Sequence, residues 1–198
     1  MSEQDKSPFK REALPQDIDA YSDEAARETR ELFEQRRPYP FLLYSRSKLW
    51  DPKLLAEAGK KGDFDGKTRM VTYEFLQGGR AFLHPIRKRQ TDPKDARVFL
   101  GRSTRQDLIV PVSSVSSAHL TFAPPTLTEA EPLWKVTDLG SSNGTWINED
   151  KLPASAPRPI RDGDPMRLGG NLIAWFLYPG HLWFLLSSPA ELKKLTDL

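Results

Sequence analysis

The rhythm of apolar and polar positions changes near residue 68. Ahead of that point, "PQDIDAYSDEAARETRELFEQRR" (residues 15–37) is rich in helix formers, and Ala25, Thr29, Leu32 and Phe33 recur at spacings of four, three and one. This narrow stripe predicts an amphipathic helix, with Ser22 as N-cap before the acidic pair Asp23-Glu24 and with Pro38 and Pro40 ending it. The apolar segment "FLLYSRSKLW" (41–50) follows. "DPKLLAEAGKKGD" (51–63) then reads as a short helix opened by Asp51-Pro52 and closed by glycine.

Beyond residue 68 the chain becomes a series of short strand-like runs separated by turns: "RMVTYEFL", "RAFLHPIRK", "RVFLGR", "DLIVPV", "HLTFA", "LWKVTDL", "TWINEDKL", "PMRLGG", "NLIAWFLYP" and "HLWFLL". Runs that recur about every 8–12 residues predict a mainly β sandwich or barrel. In "WKVTDL" the alternation places Trp134, Val136 and Asp138 on one face. The greasiest run, "LIAWFLYPGHLWFLL" (172–186), is interrupted by Pro179, Gly180 and His181, falls short of a membrane span and reads as a buried hairpin. "SSPAELKKLTDL" (187–198) reads as a helical tail. The organisation expected is therefore an N-terminal, partly helical extension over 1–67, a β-sandwich over 68–186 and a C-terminal helical tail over 187–198. The extension is expected to pack against the second half; the alternative is a separate docking surface.

Asn143-Gly144 lies between apolar segments, the local signature of a tight hairpin, because such turns need positive φ. A hairpin requires only those two residues. Ser141, Ser142 and Thr145 crowd the same tip, so its hydroxyls exceed what a turn needs.

Composition narrows the function classes. With 198 residues, 38% hydrophobic and 28% charged, the chain has a soluble, globular composition, and 17 prolines against 12 glycines suit a loop-rich β protein. The lack of cysteine excludes disulfides, thiolate metal sites and cysteine nucleophiles. The net charge of +2 divides into −1 over residues 1–79 and +3 over the remainder, a mild bias toward anionic partners that falls short of a nucleic-acid footprint. No apolar stretch near the N-terminus suggests a secretory signal, so a cytoplasmic location is expected. No phosphate-cradling G-x-x-x-x-G-K loop, nucleophile–base pair or metal-ligand cluster stands out, and no enzyme activity, cofactor or metal is expected.

Four motifs then stand in order: "LGR" (100–102), "VSSAH" (115–119), "SSNGT" (141–145) and "RDGDPMRLG" (161–169), with Asp107-Leu108 between the first two. This series resembles the forkhead-associated (FHA) domain, a phosphothreonine-peptide binding module, over roughly residues 80–186. The resemblance implies an FHA-type sandwich of two antiparallel sheets. It also implies a pocket for a phosphate, a group with nearly two negative charges and three acceptor oxygens. Carried over by motif, Arg102 matches the arginine set against the phosphate, where its planar fork suits two charge-assisted bonds. Ser116 matches a phosphate-bonding hydroxyl, and Ser117 a variable position that adds a contact. Ser142 matches a position whose hydroxyl or main-chain N–H reaches the phosphate. Asn143 matches the asparagine that holds the peptide backbone. Gly101, His119, Gly144 and Thr145 match residues that keep the loops in shape. Ser114 stands where some members carry a basic residue selecting the third residue beyond the phosphothreonine, and Asp162 and Asp164 are read as shaping a turn. The partner implied is a threonine-phosphorylated protein or a Ser/Thr kinase, with no nucleic acid and no membrane span. The alternative function is a phosphate-independent scaffold that docks through its N-terminal extension.

Overall fold

The computed structural model of the chain describes residues 15–45, 81–89, 94–126, 131–170 and 172–196. The helix expected at 51–63, the strand expected at 69–76 and the boundary expected at residue 68 lie outside these residues.

Two sheets are packed face to face. Numbered in chain order, the strands of the larger sheet run β1 (Gln16–Asp17), β3 (Ala81–Pro85), β2 (Phe41–Ser45), β12 (Leu172–Leu177), β11 (Pro165–Leu168), β8 (Thr145–Ile147) and β9 (Asp150–Lys151). The smaller sheet runs β10 (Arg158–Ile160), β7 (Trp134–Asp138), β6 (Leu120–Ala123), β4 (Val98–Gly101) and β5 (Leu108–Ile109). All pairs are antiparallel except β4 with β5, which are parallel, so the smaller sheet is mixed. Side chains of alternate residues from the two inner faces, among them Leu100, Phe122 and Val136 against Ile147, Leu168 and Phe176, fill the core between them.

The "FLLYS" run is a central strand of the larger sheet. β2 pairs with β12 on one side and β3 on the other, so a segment expected in the extension completes the sandwich. The helical stretch before it also differs from the single helix expected. It forms α1 (Ile18–Ala25) and α2 (Arg30–Arg36), each with its own cap. Asp17 accepts from the Asp19 N–H and Thr29 from the Leu32 N–H, whereas the Ser22 hydroxyl donates to the Ile18 carbonyl inside α1. A polar side chain that bonds the turn before it no longer serves as a cap. Arg37, buried and stacked over Phe33 at 4.2 Å, ion-pairs with Glu24 and Glu28 and ties α2 back to α1.

The expected C-terminal hairpin is absent: β12 leads directly into α3 (Pro179–Ser187), followed by α4 (Pro189–Thr196). Pro179 sits in the first helical turn, where its fixed φ fits a helix and its missing N–H costs nothing. Leu182, Leu185 and Leu186 then fall on one helix face and are buried, a 3.6-residue period that a list of apolar residues conceals. With Phe33, Leu43, Leu83 and Leu177 they form a second core between the outer face of the larger sheet and the helices. Among the described residues no helix is long and apolar enough to cross a membrane.

Candidate functional site

The Asn143-Gly144 stretch is not a hairpin tip. β7 belongs to the smaller sheet and β8 to the larger, so residues 139–144 cross from one sheet to the other. The two-residue hairpin with positive φ at both turn positions lies instead at Asn148 (49°) and Glu149 (70°), joining β8 to β9. This is the backbone sense a right-twisted hairpin requires.

The crossing is organised around Asp138, 3% exposed at the end of β7. One carboxylate oxygen accepts from the main-chain N–H groups of Gly140 (2.8 Å) and Ser141 (2.7 Å). The other accepts from the hydroxyls of Ser141 (2.7 Å) and Thr145 (2.6 Å). The Ser141 hydroxyl oxygen also accepts the Gly144 N–H at 3.0 Å. Burial works to raise the Asp138 pKa, but the Thr145 and Ser141 bonds outweigh it and hold the group below the ordinary carboxylate value. Ser141, to which the family pattern assigned no role, is thus the inner brace of the turn. An Asp at a strand end with Ser three residues on was the available signal, since Asp side chains readily cap the backbone that follows. Thr145 through its hydroxyl and Gly144 through its N–H are both tied into this network.

His119 connects this turn to the loop opposite. Its Nδ1 accepts the Ser116 N–H at 3.0 Å, so the proton is on Nε2, which donates to the Gly144 carbonyl at 3.3 Å. Burial lowers its pKa, against the opposing pull of Asp138 and of the Gly144 carbonyl. With both nitrogens engaged, His119 is a brace between loops.

The loop carrying Ser116 and Ser117 rests on Gly101. A Cβ there would stand 2.4 Å from the Ser117 carbonyl oxygen, so only glycine permits the approach. The approach lets the N–H groups of Arg102 and Ser103 donate to the carbonyls of Ser116 and Ser117. On the far side Gly169, at φ 59°, supports Ser114 in the same way, with a Cβ meeting the Ser114 carbonyl oxygen at 2.2 Å. Asp107 stiffens the base of the site, accepting from the Phe99 and Arg89 N–H groups at 2.9 and 3.1 Å.

Three of the residues singled out in the sequence converge on this frame. The Ser142 N–H donates to the Ser116 hydroxyl oxygen at 3.0 Å, and the two hydroxyl oxygens lie 3.5 Å apart. Arg102, half-buried, donates from Nε to the Val115 carbonyl at 3.2 Å, which fixes its guanidinium beside the same loop. Asn143 is exposed at the rim, its amide nitrogen donating to the Ser114 carbonyl at 2.9 Å. Ser117 is exposed on the loop. The Ser114 hydroxyl, by contrast, is buried with no hydrogen-bond partner among the described residues, so it packs under the loop and does not face a ligand. Asp162 and Asp164 shape their turn as expected. The first accepts from the Tyr178 N–H, and the second from the Arg161 N–H and the Asn148 amide. Chemically the site is one cation with adjacent hydroxyl and amide donors on a rigid rim, an arrangement suited to a small multivalent anion.

Residues 98–169 match the family model of the FHA domain. Over 76 residues the chain is 32% identical to the FHA domain-containing protein FhaB of Mycolicibacterium smegmatis, covering 38% of this chain and 44% of that one. The chain therefore spans less than half of that relative's length. Among solved structures, the MEK1 FHA domain in complex with a phosphothreonine peptide of HOP1 is 26% identical, covering 48% of this chain and 87% of that chain, with a TM-score of 0.39. The FhaA FHA domain complexed with the intracellular domain of Rv3910 is 18% identical, covering 69% and 98%, with a TM-score of 0.37. The stretch that holds Arg102, Ser116, Ser142 and the loops that position them is an FHA domain.

Proposed function

We propose that the chain is a phosphothreonine-dependent protein–protein interaction module, which binds a protein marked by a Ser/Thr kinase in the cytoplasm. The observation that carries this reading is the convergence of Arg102, the Ser116 hydroxyl and Ser142 on loops braced by buried Asp138 and His119. Accepting the Ser142 N–H leaves the Ser116 hydroxyl its own proton to donate to a phosphate oxygen. Arg102 supplies the charge, Ser117 a further hydroxyl, and Asn143 an amide at the rim for the peptide backbone next to the phosphothreonine. Preorganised donors meet an anion without first having to be ordered, which is where affinity is usually lost. The reading is of a binding module and not an enzyme: the histidine at the site, His119, is committed at both nitrogens to holding loops.

Fluorescence anisotropy with matched phosphothreonine, phosphoserine and unmodified peptides tests this. Hydrogen bonds to charged groups contribute about 1.5–3 kcal/mol each, so Arg102→Ala should weaken phosphothreonine-peptide binding at least about tenfold. Equal binding of all three peptides, or indifference to Arg102→Ala, would overturn the reading. A pull-down of the same partners that survives phosphatase treatment would favour the phosphate-independent scaffold.

A further inference from the structure

Among the described residues, the helical layer covers only part of the outer face of the larger sheet. The helical layer reaches across β12 to Ile173, which packs against the second core. Beyond it three residues stand side by side on neighbouring strands: Arg167 is in register with Ile173 and with Trp146, and Trp146 with Lys151. Their sequence neighbours Thr145, Ile147, Met166 and Leu168 are buried in the sandwich, so this row points the other way. Trp146 and Arg167 are half-buried and Lys151 is exposed. The Arg167 guanidinium lies 3.8 Å from the Trp146 ring centre, and the Lys151 ammonium 5.4 Å.

The two cations share one aromatic ring, and among the described residues neither has a carboxylate within ion-pair distance. Asp150, the acid next to Lys151 in the chain, is held by Arg158 at 2.7 Å. Stacking on Trp146 fixes the direction of both charges without neutralising them. The row also touches the proposed phosphate pocket. A Cβ on Gly144 would stand 2.8 Å from Lys151 Cε and 3.1 Å from the Trp146 ring, so both side chains lie against the turn that carries Ser142 and Asn143.

We infer that Lys151, Trp146 and Arg167 form an accessory binding strip for acidic residues flanking the phosphothreonine of the bound peptide; this rests on the phosphothreonine reading above. Neighbouring strands are about 4.8 Å apart, which puts Arg167 roughly two strand spacings from Lys151. An extended peptide advances roughly 3.3 Å per residue. The strip is therefore about three residues of extended peptide long, running from Lys151 beside the turn that carries Ser142 and Asn143 to Arg167, and the Trp146 ring offers an apolar wall for the methylenes of the acids it meets. The strip would set partner preference where the Ser114 hydroxyl, buried under its loop, does not.

The test compares three phosphothreonine peptides by fluorescence anisotropy: neutral flanks, glutamates three to five residues before the phosphothreonine, and glutamates three to five residues after it. Exposed charge pairs contribute modestly, so one acidic peptide should bind the wild-type chain about three- to tenfold tighter than the neutral one, with an advantage that shrinks as salt rises. That ratio should fall to near one in the double variant Lys151→Gln with Arg167→Gln. It should fall below one in Lys151→Glu, an exposed change that leaves the Arg167–Trp146 stack in place. Arg102→Ala should weaken all three peptides while preserving the ratio. Equal binding of acidic and neutral peptides, or a preference that survives both strip variants, overturns the inference with the phosphothreonine reading intact. Failure of the neutral phosphopeptide to bind the wild type overturns both. Binding to phosphatidylserine vesicles that is lost in the strip variants, with no peptide preference, would assign the strip to a lipid surface and overturn the inference.

Discussion

At the scale of single residues, the site depends on a buried charge. Asp138 has lost its water, and four donors from Gly140, Ser141 and Thr145 replace it. A buried carboxylate is tolerable only when paired or fully hydrogen-bonded, and here the bonds go to the loop that must be held. Asp138→Asn keeps the shape but turns one acceptor into a donor facing donors. It should cost about 2–3 kcal/mol in denaturant unfolding and weaken phosphopeptide binding through a loosened turn; unchanged stability would refute the hub. His119 contributes a pH dependence with a definite sign. Its folded pKa lies below the unfolded value, so between the two the unfolded chain binds more protons. Its contribution to stability is present above about pH 6.5 and is lost as the pH falls further. Melting temperature measured from pH 7.5 to 5.5 should therefore fall, and fall less steeply in His119→Asn.

At the scale of elements, turn chemistry was only partly legible in the sequence. Asn143-Gly144 carries the strongest hairpin signature in the chain, yet its strands belong to different sheets. The signature reports that a backbone can turn; it does not report which strand the turn returns to. The true hairpin at Asn148-Glu149 places a glutamate at φ 70°, where a Cβ is strained. Glu149→Gly should relieve that strain and stabilise the fold by about 0.5–1 kcal/mol, net of the flexibility glycine adds to the unfolded chain. Chemical denaturation would show it, and a loss of stability would contradict the turn geometry. The helices teach a related lesson. Asp17 and Thr29 are as good caps as Ser22, and which hydroxyl or carboxylate caps was decided by where Arg37 and Phe33 anchor the second helix.

At the scale of the whole molecule, the helical layer is fixed to the sandwich by burial. Leu182 is fully buried between α3 and the larger sheet. Leu182→Ala should cost about 2–5 kcal/mol. If both cores melt together, unfolding stays a single transition with coincident probes. Two separate transitions would show the helical layer to be an independent unit. Phosphopeptide affinity, measured well below the melting temperature, should be unaltered, because Leu182 lies in the second core, apart from the loops that carry Arg102, Ser116 and Ser142.

The local pattern determined the β-rich class, the order of the loop motifs and the residue types at the candidate site. Each of these depends on short-range chemistry: period-two alternation, glycine where the backbone needs it, and hydroxyls and an arginine of the kind the proposed anion site requires. Tertiary structure decided the rest. It drew Phe41–Ser45 into the middle of the larger sheet, turned the last apolar run from a hairpin into a strand and helix, and made Asp138 and Ser141 the centre of the site. Pairing partners, buried faces and shared hydrogen bonds are relations between residues far apart in the chain, and a local pattern holds only one side of each.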